Sequence, residues 1–146
     1  MTKHSEHSSF SGPPSTENDD DWKELLRPIY FNASARELKK AHIDESDAVR
    51  YAGGGFIASL GVYHDMHCLR KLRHWLYREK YLPDMSPRDE ANMLEHLDHC
   101  IDMIRVSLMC TPDLSFYAFN WPKGEKTVFL DPESNSPRQC IDWKQL

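Results

Sequence analysis

Two ten-residue segments of the chain carry the same reactive side chains at the same spacing. The first reads His64-Asp65-Met66-His67-Cys68-Leu69-Arg70-Lys71-Leu72-Arg73, the second His96-Leu97-Asp98-His99-Cys100-Ile101-Asp102-Met103-Ile104-Arg105. Both fit H-x-x-H-C-[LI]-x-x-[LI]-R. A lone histidine on a helix is ordinarily a packed or surface residue. A five-residue signature that occurs twice in one short chain is rarely an accident. Neutral imidazole ligates transition metals and serves as a general base near neutral pH, so the repeat points to a metal site or to proton transfer.

The spacing only makes chemical sense on helices. At about 100° per residue, His64 and His67 lie roughly 60° apart and can address one ion. Cys68 follows His64 by one turn, roughly 40° to its other side. Leu69, Leu72 and Leu76 continue that arc, and Ile101, Ile104 and Leu108 do so after His96, His99 and Cys100. Each histidine pair therefore flanks an apolar stripe, with the cysteine inside it. Packing the stripes together brings four imidazoles to the border of one cleft, within roughly 10 Å of each other, because packed helices lie about 8–10 Å apart. Helix bundles build metal sites in this way. An all-imidazole set suits copper, zinc, iron or nickel, and the absence of any C-x-x-C argues against a zinc finger. Asp65 stands near enough to supplement a site or orient an imidazole. Asp98 points away. Arg70, Lys71, Arg73, Arg78 and Lys80 read as a solvated face, Lys71 alone falling near the His64 side, where an anionic substrate would pass. Trp75, Tyr77 and Tyr81 read as core. His42 and His74 are outside the pattern and read as structural, and His4 and His7 as solvent-exposed bystanders.

The elements that position the repeat follow from caps and periodicity. Asp19-Asp20-Asp21 precede a short helix at 22–27 that Pro28 ends. Ser34 and Glu37 form a capping box for a second helix to about Ala41. Residues 46–51 are ambiguous, and Gly53-Gly54-Gly55 is a turn or a place of close packing, lacking the lysine and strand of a phosphate loop. Helical spacing runs from Phe56 to about Tyr81. After a loop at 83–87, Ser86 and Pro87 open a helix that reaches about Met109, and Thr111-Pro112-Asp113 stops it. Residues 113–146 read as loops with short extended pieces at 116–121 and 127–130. The fold class is mainly α: an antiparallel helix pair carrying the two motifs, shorter N-terminal helices, and a loop-rich C-terminal segment with few short strands.

Composition narrows the function classes. The chain has 146 residues, 40% hydrophobic and 28% charged, with a net charge of −5, eight histidines and four cysteines. That length supports one domain and a core of its own. An acidic balance argues against a nucleic-acid surface, so none is expected as partner. No run approaches the ~18 apolar residues of a transmembrane segment, and the polar start is no signal peptide, so the expectation is a soluble, cytoplasmic chain. In that compartment cysteines stay reduced, whereas the even count permits three pairings if oxidised. Cys68 and Cys100 are open to three readings: packed thiols, thiolate ligands or disulfide halves. Cys110 and Cys140 lie in the loop-rich part, where a disulfide would constrain a long segment.

With its surroundings, the repeat resembles the fungal UstYa-like oxidase family of secondary-metabolite gene clusters. The resemblance rests on Val62-Tyr63-His64-Asp65-Met66-His67-Cys68-Leu69 and His96-Leu97-Asp98-His99-Cys100-Ile101, then Arg105 to Cys110 and Asp113. It extends to Phe10-Ser11-Gly12-Pro13-Pro14-Ser15-Thr16-Glu17 with Asp19 and Trp22, to Gly54-Gly55-Phe56, and to Cys140, Asp142 and Trp143. It spans roughly residues 10–143, which makes 1–9 a tail, 10–146 a single domain, and part of the polar start a strap. The resemblance implies a metal-dependent oxidase, with one or two copper ions and O₂ or peroxide as oxidant, acting on a peptide or other small-molecule natural-product scaffold. It implies His64, His67, His96 and His99 as metal ligands and catalytic residues, and Cys68 and Cys100 as motif cysteines with a ligand or disulfide role. Two features depart from the family. Many members carry an N-terminal membrane anchor and lie in the secretory system, and the closing motif often has a histidine where this chain has Arg138. Two other classes stay open: a redox-neutral cyclase or isomerase using the histidines as acid and base, and a non-catalytic metal-stabilised module. The oligomeric state is open too, a homodimer included.

Overall fold

Ser15 sets where the first helix begins. Its hydroxyl accepts the backbone N–H of Asn18 at 3.2 Å, and Asn18 Oδ1 accepts the Ser15 N–H at 3.1 Å. This reciprocal cap starts α1 (Thr16–Leu25) six residues ahead of the helix expected at 22–27. The three aspartates thus lie inside the helix rather than in front of it. Serine as N-cap satisfies orphan N–H groups more directly than charge alone, which is why the earlier start wins. The structure, a computed structural model, describes residues 8–120, 131–134 and 136–146. His4 and His7 lie outside the described residues.

β1 (Phe31–Ala33) and β2 (Phe56–Ala58) pair antiparallel, Ala33 opposite Phe56. α2 (Ala35–Lys40) lies between them in sequence, opened by the expected Ser34–Glu37 capping box. His42 ends it in the left-handed region at φ 57°, a structural role. Ala33, Leu38 and Phe56 are buried together. Phe56 was expected to begin a long helix; it belongs to a strand instead, because Ala33 and Leu38 bury it. The glycine turn makes that pairing feasible. Gly55 has φ +83°, and a Cβ there would meet the Asn32 amide at 1.9 Å. Asn32 donates from Nδ2 to the Gly54 carbonyl at 3.1 Å.

The long helices follow. α3 (Gly61–Leu76) carries the first motif, α4 (Arg78–Tyr81) is a one-turn extension, and α5 (Pro87–Cys110) carries the second motif. Ser86 caps α5 by accepting the Asp89 N–H at 3.1 Å, as its sequence predicts. The described residues form two compact units, 8–107 and 108–146, so α5 runs from the first into the second. In the second unit β3 (Ala118–Asn120) pairs antiparallel with β4 (Asp131–Glu133), and a 3-10 turn covers Trp143–Gln145. The first expected extended piece is thus present, shortened. The second, at 127–130, lies outside the described residues. The chain is mainly α with a few short strands. Among the described residues no helix is long and apolar enough to cross a membrane.

Candidate functional site

The four motif imidazoles meet across the helix pair. The His64 ring faces His99 with centroids 5.9 Å apart, and the His67 ring faces His96 at 6.1 Å. Antiparallel packing causes this: the first histidine of one motif meets the second of the other. The two motifs therefore lie within the expected distance of each other, and the rings pair between helices rather than along one. His64, His67 and His96 are half-buried and His99 is exposed, so the row of rings runs from the helix contact to solvent.

Cys68 and Cys100 lie at the centre of the contact. Both are 0% exposed, and Cys100 lies close enough to act on the Cys68 thiol. Both are free thiols, as are the exposed Cys110 and Cys140. Burial, reinforced by Cys100, pushes the Cys68 thiol up to about 12. The apolar stripe fares differently from its expectation. Leu69, Leu76, Ile101 and Leu108 are exposed and Leu72 and Ile104 half-buried, whereas Tyr63 and Leu97 are buried. The wholly buried residues of the contact are the two cysteines, not members of the predicted arc. A thiol is a small, weakly polar group that is hidden at little cost.

Burial and the charges nearby favour neutral imidazole at His67. His67 is held below its ordinary range by burial first, then by the Lys71 cation and by its neighbours His96, His64 and Arg70. Asp65 is half-buried and makes no hydrogen bond to a motif imidazole among the described residues; Asp98 is exposed, as expected. His74 lies outside the pairs, stacked on Tyr81 at 4.3 Å, in keeping with a structural role. Trp75, Tyr77 and Tyr81 are half-buried rather than core: Arg78 lies over Trp75 and Arg73 over Tyr77.

Arg73 is the residue that spacing misplaced. It was expected on a solvated face; it is 9% exposed. Its guanidinium donates to the Gly12 carbonyl at 2.9 Å and to Asn18 Oδ1 at 3.2 Å. The strap before α1 is built to receive it. Asn18 also donates from Nδ2 to the Ser9 carbonyl at 2.6 Å, and Trp22 Nε1–H donates to the Phe10 carbonyl at 3.1 Å. The Phe10 and Trp22 rings meet edge-on at 5.4 Å, and the Tyr81 hydroxyl binds Asp19 Oδ1 at 2.5 Å. Residues 8–25 thus fasten to α3 and α4 through Arg73 and Tyr81. The signal was in the sequence: Phe10, Gly12, Ser15, Asp19 and Trp22 are the spaced entry residues, and Arg73 closes the repeat.

Could these residues hold a metal? Two imidazoles on one ion, with metal–nitrogen bonds of about 2.0–2.1 Å, hold their ring centroids roughly 5–6.5 Å apart. Both cross-helix pairs fall in that span. Among the described residues, however, no three His, Cys, Asp or Glu side chains converge as they stand. The donors come in twos, so each ion would need another ligand or a small rotation of the neighbouring pair.

A separate pocket of about 700 Å³ lies in the second unit, lined among others by Asp113, Phe116, Arg138 and Cys140. Arg138 binds Asp113 at 2.9 Å and the Tyr117 hydroxyl, so it serves as a strut there.

Comparison with known proteins gives the family. A family model described as mycotoxin biosynthesis protein UstYa matches residues 1–146. The UstYa family oxidase phomYc of Diaporthe leptostromiformis is 28% identical over 95% of this chain and 57% of its own length. The UstYa family oxidase aprY of Aspergillus flavus is 25% identical over 91% of this chain and 43% of its own length. A transacylase, cctO of Talaromyces islandicus, is 30% identical over 73% of this chain and 39% of its own length. The chain spans about half the length of the curated relatives it matches. No solved structure matches. The duplicated histidine–cysteine motif, its cross-helix pairing and the whole-length family match lead to one statement: the chain belongs to the UstYa family of mycotoxin biosynthesis proteins.

Proposed function

We propose that this protein is an oxidase-type tailoring enzyme of fungal secondary metabolism, dependent on one or two copper ions held by His64, His67, His96 and His99. The observation that carries the reading is the facing of His64 with His99 and of His67 with His96. Relatives named oxidases support it. The substrate would be a peptide or another natural-product scaffold. When bound, copper supplies one-electron redox chemistry and a site for O₂ or peroxide. The chain's own residues prepare that chemistry. Burial and the Lys71 cation keep His67 unprotonated at neutral pH, the form that ligates. The Cys68–Cys100 contact joins the two helices and the strap braces α3, so the ring pairs do not have to be ordered when metal arrives.

Copper loading tests the reading. The protein should bind one or two copper ions at neutral pH, and His67→Ala and His96→Ala should each lose metal and abolish substrate conversion. Absence of any transition metal after loading would overturn it. A second reading has its own support, since one relative is named a transacylase and neutral His67 could act as a base. It predicts that conversion persists in thoroughly chelated protein yet disappears in His67→Ala. The compared metabolites of a gene-deletion strain would name the substrate in either case.

A further inference from the structure

A groove of about 750 Å³ runs between the C-terminal half of α1, the segment after it, and α3, and it opens onto His67. Leu26, Ile29 and Tyr30 give it an apolar side, with Leu26 buried and Tyr30 62% exposed. Its charges balance: Asp20, Asp21 and Glu24 against Lys23, Arg27 and Arg70. They are not equally engaged. Glu24 and Arg27 pair with each other at 2.5 Å. Arg70 is half-buried, makes no ion pair or hydrogen bond among the described residues, and has a buried Nε without an acceptor.

An unengaged guanidinium in a groove is unusual, because burying part of a cation without an acceptor is costly. Three carboxylates line the same groove and none is within ion-pair distance of it. Its sequence neighbour in charge, Arg73, spends its two terminal nitrogens on the strap and leaves only Nε without an acceptor; Arg70 spends none of its donors. Arg70 follows His67 by three residues, so the two side chains rise from one helix face about 5–6 Å apart. A planar guanidinium with its donors free matches a carboxylate, which it binds through two parallel hydrogen bonds.

We propose that Arg70 is a specificity-determining residue that seats a substrate carboxylate in this groove, with an apolar or aromatic group of the same molecule against Leu26, Ile29 and Tyr30 and the neighbouring atoms presented at His67. A peptide's free carboxylate flanked by an apolar side chain has this chemistry. The inference rests on the reading of His67 as the edge of the reactive centre, but the binding event itself requires neither metal nor turnover.

The test is a titration of the metal-free protein with N-acetyl-phenylalanine and with its amide, followed by NMR of the arginine Nε–H, histidine and tyrosine signals. The acid should shift the Arg70 and Tyr30 signals and bind at least tenfold more tightly than the amide. Arg70→Gln should erase that difference while the remaining spectrum stays that of the folded protein, and Arg70→Lys should restore part of it. In conversion assays, Arg70→Gln should raise KM at least tenfold for a carboxylate substrate with kcat changed less than threefold. Equal binding of acid and amide, discrimination that survives Arg70→Gln, or shifts confined to residues 111–140 would overturn the proposal. Failure to bind copper would overturn the oxidase reading and leave this binding result standing, so the two failures are distinguishable.

Discussion

The two copies of the motif agree at both histidines and at the cysteine, and then diverge. In both, the cysteine is wholly buried and the histidines face the partner helix. At the closing arginine the copies part. Arg73 is buried and binds Gly12 and Asn18, whereas Arg105 lies exposed and pairs with Asp102 at 2.7 Å, three residues back on its own helix. The repeat is thus two things in one pattern. Its H-x-x-H-C part pairs the imidazoles of the two helices. Its tail meets a strap on α3, where Gly12 and Asn18 supply acceptors. Sequence repetition fixes what each helix can offer; the surroundings decide what is taken.

The sharpest way to break this comparison is to remove each arginine in turn. Arg73→Ala should cost about 2–4 kcal/mol in urea denaturation, because the Gly12 carbonyl and Asn18 lose charged donors in a buried place. A cost no larger than that of Arg105→Ala would show that the strap does not depend on it.

Next comes pH, which reads the first copy through its shifted groups. The unfolded chain takes up a histidine proton near pH 6.5, but folded His67 and His74 resist it. The stability they contribute is present above about 6.5 and is lost as the pH falls through their lowered values. Cys68 acts in the opposite sense. Folded, it keeps its proton to about 12, while the unfolded thiol gives it up near 9.0. Its contribution is full below that value and declines as the pH rises. The metal-free protein should therefore show a plateau between about 6.5 and 9, with falling limbs on either side. Cys68→Ala should flatten the alkaline limb; a limb that does not respond would place its cause elsewhere.

The smallest effect belongs to Arg105→Ala. Its pair with Asp102 is exposed and local, so the expected cost is within about 0.5 kcal/mol. A thermal melt that drops as far as that of Arg73→Ala would erase the distinction between the copies.

Much of the site was legible because helix geometry is local. A 3.6-residue period places His64, His67 and Cys68 on one side of a helix whatever lies beyond it. Serine and glutamate three apart cap a helix start wherever they occur, as at Ser34, and Ser86 opens α5 as read. The family resemblance added the strap's residues but not their function.

What the sequence determined by itself was the pair of motif helices, the side of each that carries histidine and cysteine, and the membership of the four rings in one set. Which arc faces inward was decided only by the tertiary structure. Cys68 and Leu69 are adjacent on the helix, and spacing cannot choose between them; in the fold Cys68 is wholly buried beside Cys100 and Leu69 is exposed. The same holds for Phe56, which pairs with a strand 23 residues earlier at Ala33. It holds for Arg73, whose burial depends on acceptors at Gly12 and Asn18. A charge or a strand is placed by partners distant in the chain, and no local period encodes where those partners will be.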